Sequence, residues 1–111
     1  MEILFKTSKL RKTLSSESLL VREFGEENAR VIMRRMVLLG AADCLADIPG
    51  KKPTRRHPLS GKRKGQFAID AKHPFRILLE PAQDPVPIRD DGSVDLLKVT
   101  SIRILGVEDY H

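Results

Sequence analysis

The hydrophobic pattern changes period near the middle of the chain, from helical in the first half to alternating in the second. Ala29, Ile32, Met33, Met36 and Leu39 recur at the i, i+3, i+4, i+7 spacing of one buried stripe, which predicts a helix over residues 25–39. Glu26 and Arg30 stand four apart on its wet face, where they can pair, and Gly40 is read as the stop. Upstream, residues 3–7 predict a short strand. Residues 8–21 carry Leu10, Leu14, Leu19 and Leu20 near helical spacing, with serines that can interrupt the helix. Residues 41–46 extend the helical region before Ile48-Pro49-Gly50 breaks it.

From residue 65 the pattern alternates. Phe67, Ile69 and Ala71 fall on one face of a predicted strand, Lys72-His73-Pro74 makes a turn, and residues 75–80 return. On that return strand Phe75, Ile77 and Leu79 face the core and Arg76 lies on the opposite face. Two alternating runs this close predict an antiparallel hairpin. Residues 81–95, with Pro81, Pro85, Pro87 and Gly92, read as a loop, and residues 99–107 are β-rich and lead into Asp109-Tyr110-His111. Helices first and a small antiparallel sheet afterwards indicate an α+β fold. Residues 1–111 are expected to form one domain, without internal repeats.

Composition narrows the picture. The 111 residues are 41% hydrophobic with no Trp, one Tyr and four Phe, so the core is expected to be aliphatic. No apolar run approaches the roughly 18 residues of a membrane span, and the apolar stretch near Met1 is too short for a signal peptide. The single cysteine, Cys44, excludes an internal disulfide framework and fits a reducing cytosol, so a cytoplasmic protein is expected. Cys44 reads as a small buried side chain rather than a nucleophile. The net charge is +5. No acidic residue lies between Asp47 and Asp70, whereas Lys51, Lys52, Arg55, Arg56, Lys62, Arg63 and Lys64 do. Such a concentrated basic stretch points to a polyanionic partner, nucleic acid or an acidic protein.

In the middle of that stretch stands His57, and the chain closes on Asp109, Tyr110 and His111. Metal-free RNA cleavage needs a base for the ribose 2′-OH, cations for the crowded phosphorane and an acid for the leaving 5′ oxygen. Two imidazoles can act as acid and base near neutral pH. Arg55, Arg56, Lys62, Arg63 and Lys64 are candidate phosphate ligands and Arg76 a candidate phosphate clamp. Asp109 can orient or charge-stabilise a histidine, and Tyr110 can donate a hydrogen bond or stack on a base. Plainer roles fit the same residues: His57 before Pro58 can begin a strand, Asp109 and Tyr110 can seal the last one, Arg76 can pair with Glu80, and His73 can be a solvent-facing turn residue. Ligand spacings for zinc are absent, as are the P-loop and dinucleotide motifs; Ser60 sits in no nucleophile elbow, and the basic cluster falls in a loop rather than on a recognition helix.

The string His57-Pro58-Leu59-x-Gly61-x-Arg63-x-Gly65-Gln66-Phe67-Ala68-Ile69-Asp70, followed by His73-Pro74-Phe75-Arg76-Ile77 and by Val99-Thr100-x-Ile102-x-Ile104-Leu105-Gly106-x-Glu108-Asp109-Tyr110-His111, resembles the HigB-type toxins of the RelE/ParE superfamily. The resemblance runs over essentially the whole chain and includes Glu26-Glu27-Asn28-Ala29. It implies a microbial-RNase-like fold, with helices packed on a small, mainly antiparallel sheet. It also implies a type II toxin that enters the ribosomal A site and cuts mRNA without a metal or other cofactor. The implied catalytic set is His57, Arg76, Asp109, Tyr110 and His111. The implied partners are a HigA-like helix-turn-helix antitoxin, the ribosome and mRNA, with a monomeric free toxin and no membrane contact. Three departures stand out: Ser60 replaces a frequent lysine, Phe67 stands near a frequent Trp or Tyr, and the Pro-rich loop 81–95 is longer than in the compact HigB proteins. Two further readings share the superfamily fold: a ParE-like poison of DNA gyrase, and a catalytically degenerate module that only binds its antitoxin.

Overall fold

A computed structural model describes residues 1–109. The chain runs β1 (Glu2–Phe5), α1 (Ser8–Leu14), α2 (Glu17–Phe24), α3 (Glu26–Ala41), β2 (His57–Pro58), β3 (Phe67–Asp70), β4 (Phe75–Pro81) and β5 (Ser101–Asp109), with short 3-10 turns at Leu45–Asp47, Gly61–Arg63 and Leu96–Lys98. The expected α+β architecture is present: three helices pack on a five-stranded, mostly antiparallel sheet in the order β1-β5-β4-β3-β2.

The helical half differs from its expectation in two places. Residues 8–24 form two helices rather than one, because Ser16 ends the first and caps the second: its hydroxyl accepts from the Leu19 N–H at 3.3 Å. Thr7 caps α1 in the same way, accepting from Leu10 N–H at 3.0 Å. Gly40 does not stop α3, which continues to Ala41. A Cβ at Gly40 would sit 3.9 Å from Ile3 Cδ1, an ordinary contact, so β1 does not require a glycine here. The stripe on α3 holds, with Ala29, Ile32 and Leu39 fully buried and Met33 and Met36 packed at its margin. Each large buried side chain contributes about 2 kcal/mol of transfer free energy. Glu26 does not bond Arg30; the neighbouring Glu27 instead holds Lys72 at 2.8 Å, beside the bond that the Lys72 N–H donates to Asn28 Oδ1 at 3.0 Å. Cys44 is buried and free at the start of the 3-10 turn.

The predicted hairpin is β3–β4, with Ile69 opposite Ile77 and Phe67 opposite Leu79 on the core face. Phe24 of α2 meets Phe75 edge-to-face at 5.7 Å. The sheet adds what alternation alone does not carry. β5 enters between β4 and β1, antiparallel to the first and parallel to the second, pairing Glu2 with Ser101. The register also shifts by one residue at Leu78/Leu79, so that Leu78 faces Gly106 while Leu79 faces Ile104. Leu105 is therefore the extra residue of a β-bulge. Strict alternation from Ile102 and Ile104 would have put Glu108 on the core face. The bulge reverses the parity, and Val107 turns inward opposite Ile77 while Glu108 turns outward opposite Arg76.

Within the loop after β4, Ile88 bridges Val94, and the Leu96–Lys98 turn then leads the chain back under the Leu45–Asp47 turn, where Leu45 N–H donates to Val99 O at 2.9 Å. Among the described residues no helix is long and apolar enough to cross a membrane.

Candidate active site

One face of the sheet is covered by the helices. On the other, Asp70 of β3, Arg76 of β4 and Glu108 of β5 stand in one row, each partly exposed. Arg76 donates from Nη2 to Glu108 Oε1 at 3.0 Å. Arg63, carried across the groove by the Gly61–Arg63 turn, closes on the same carboxylate from the other side, Nη1 to Oε1 at 2.6 Å and Nη2 to Oε2 at 3.3 Å. Two guanidinium groups therefore converge on one carboxylate, and Arg63 and Glu108 also line a groove of about 510 Å³ together with Leu78 and Gly106. A carboxylate between two arginines occupies the kind of position a phosphate takes.

Hydrogen bonding from Arg63, and then from Arg76, holds the Glu108 carboxyl below the ordinary carboxylate range, although its partial burial acts the other way. Since the folded value lies below the unfolded one, this contribution to stability is fully present above the ordinary glutamate range. It is lost as pH falls below that range and Glu108 takes up a proton. The Glu108→Gln variant is accordingly expected to lose less stability than the parent on acidification, measured as unfolding midpoints across the acid range; parallel curves for the two proteins would contradict it.

His57 lies on the same side. It opens β2 opposite Ala68, which in turn stands opposite Leu78, two residues from Arg76. Strand spacing and rise put the two Cα atoms on the order of 12 Å apart, a separation that their side chains and one phosphodiester can span. The ring is half-buried, and its Nδ1 lies 2.8 Å from the Arg55 carbonyl oxygen. A carbonyl only accepts, so in the neutral ring Nδ1 carries the proton and Nε2 the lone pair. Among the described residues nothing hydrogen-bonds Nε2.

The basic stretch divides by role. Arg56 points away from the groove, its Nη1 donating to the carbonyls of Leu45 at 3.1 Å, Ala46 at 3.4 Å and Ile48 at 2.6 Å, where it ties down the end of a 3-10 turn. Arg55 grips Asp70 with two bonds, at 2.8 and 3.1 Å. Lys62 and Lys64 are exposed, and neither ammonium has a hydrogen-bond partner among the described residues. Phe67 is 5% exposed on the core face, so the aromatic at this position packs the interior. Asp109 stands opposite Phe75, one position beyond the row that holds Arg76, so the register matches Glu108 rather than Asp109 to that arginine. Tyr110 and His111 lie outside the described residues.

Arg76 does not take Glu80, which pairs with Arg103 at 2.8 Å. The residues that sequence reasoning passed over are Glu108 and Asp70. Asp70 was within reach, because the alternation that puts Phe67 and Ile69 inside puts Ala68 and Asp70 outside with Arg76. Glu108 was not, because its outward direction depends on the bulge. A second cavity, of about 620 Å³, lies between β2 and the loop after β4; it is mostly apolar and contains none of His57, Arg76 and Glu108.

The protein has the fold of a YoeB/ParE toxin from Agrobacterium tumefaciens, with a TM-score of 0.57 over 100% of both chains and 9% sequence identity. No protein-family model matches the sequence, and no curated protein matches it. At such an identity the likeness is one of fold.

Proposed function

We propose that this protein is the toxin of a toxin–antitoxin pair and cleaves mRNA on the ribosome by metal-free acid–base chemistry. The observation that carries the reading is the convergence of Arg63 and Arg76 on one anionic position, on the side of the sheet that also holds His57, whose ring is tethered through Nδ1. The scissile phosphate displaces the Glu108 carboxylate from between the two arginines, which then hold the charge that builds up on the phosphorane. Lys62 and Lys64 guide the flanking phosphates. His57, through Nε2, and His111 exchange the protons of the 2′-OH and the 5′ oxygen, while Asp109 and Tyr110 orient and stack. The chain cleaves through a 2′,3′-cyclic phosphate: the 2′ oxygen attacks phosphorus and gives up its proton, and the departing 5′ oxygen receives one.

A HigA-like helix-turn-helix antitoxin restrains the toxin, which is monomeric when free and works in the cytoplasm. The fold likeness supports a toxin and is common to the names YoeB and ParE. Induced expression, with and without the neighbouring gene, followed by mapping of mRNA 5′ ends, is expected to give growth arrest with discrete breaks within translated codons, suppressed by that neighbour. Growth arrest with DNA-damage induction and intact mRNA would instead establish the gyrase-poison reading. An expressed, folded protein without any arrest would leave only the antitoxin-binding module.

A further inference from the structure

We infer that Asp70 and Arg55 are positioning residues for His57, acting through the Arg55 carbonyl to hold the imidazole in its Nδ1–H form. The inference deepens the proposed function, because the nitrogen it leaves with a lone pair is the one assigned there to proton transfer. Arg55 has φ +48°, the one non-glycine in the left-handed region among the described residues, a conformation that costs free energy and persists only where neighbours impose it. Its N–H donates to Lys51 O at 2.8 Å, its guanidinium donates twice to the Asp70 carboxylate, and its carbonyl accepts from His57 Nδ1. Asp70 is itself fixed at both backbone groups: its N–H donates to Thr54 O at 2.8 Å and its carbonyl accepts from Arg35 Nε at 2.7 Å. The end of β3 thus imposes the turn that aims one carbonyl at one ring nitrogen. The neutral histidine side chain in water favours the opposite tautomer, with Nε2 protonated, so the chain works against the intrinsic preference. A histidine that must present a lone pair at Nε2 is served by that arrangement, as when a carboxylate or carbonyl orients the far nitrogen of a catalytic or metal-bound histidine.

Long-range proton–nitrogen correlation spectra of the three histidine rings, assigned with His57→Ala and recorded where the rings are neutral, test the inference directly. In the parent His57 is expected as Nδ1–H. In Asp70→Asn and in Arg55→Gly, which removes the clamp while glycine tolerates the turn without being held in it, it is expected to move to mostly Nε2–H. In mRNA cleavage both variants are expected to lose about tenfold or more in kcat with KM little changed, the pattern of a lost transition-state contribution. Retention of the Nδ1–H form in Arg55→Gly would overturn the inference, since the backbone alone would then fix the ring. So would an Nε2–H form in the parent. If the tautomer shifts in both variants while the parent fails to cut RNA, the positioning stands and the proposed function falls.

Discussion

His57→Ala is expected to reduce mRNA cleavage by about 10²–10⁴-fold, the usual contribution of one positioned proton-transfer group, and to abolish growth arrest on induction. Stability is expected to change little. The ring is half-buried on a two-residue edge strand, and among the described residues it forms one hydrogen bond, to the Arg55 carbonyl. A single bond of this kind contributes about 1 kcal/mol. The decisive comparison is single-turnover cleavage on programmed ribosomes against the thermal unfolding midpoint of the same preparation. A folded His57→Ala protein that cuts at the parental rate would remove His57 from the mechanism.

Arg76→Ala is expected to have the next largest effect, a loss on the order of 10²-fold in cleavage rate, comparable to removing one preorganised donor from an anion-stabilising site. Two features distinguish Arg76 from the other cations. Its side chain is only 16% exposed, so its charge acts where water screens it least, and it rises from the middle of the sheet rather than from a loop. Arg63, 44% exposed on a 3-10 turn, is expected to cost less when removed. Arg76→Lys is not expected to rescue, because an ammonium cannot reproduce the planar fork. The variant keeps Arg63 on Glu108, so the fold is retained, and the effect should appear in the rate at saturating ribosomes. Cleavage by Arg76→Ala within about threefold of the parent would be incompatible with a transition-state role, given the magnitude just cited.

The hairpin and the long helix were legible because each rests on a local signal: alternation around Lys72-His73-Pro74 for β3–β4, and the Ala29 to Leu39 stripe for α3. The helix end at Ala41 was not, since a glycine ends a helix only where it leaves the helical backbone, and Gly40 stays within α3. The break at Ser16 was half legible, as serine both interrupts and caps. The side on which Arg76 points follows from parity along one strand. Its partner does not: Glu108 lies 32 residues away and faces Arg76 only through register, and Arg63 is 45 residues from the carboxylate they share. The same limit applies to the basic stretch. Arg55 and Arg56 look alike in sequence, yet one clamps a carboxylate beside the site and the other ties three carbonyls on the far side.

The placement of β5 has a consequence for how the molecule comes into being. The strand made last of the five is not an edge of the sheet: it separates β1 from β4, and its pairing with β1 joins positions as distant as Glu2 and Ser101. While the chain emerges from the ribosome, the helices and the β3–β4 hairpin can assemble from local contacts, but β1 has no neighbour to bind. A pairing of such high sequence separation is slow to close. The anionic position between Arg63 and Arg76 is likewise defined only when Glu108 arrives on β5. The site therefore assembles in one late step, so that a partly made chain carries its cations without the geometry that turns them on the Glu108 carboxylate.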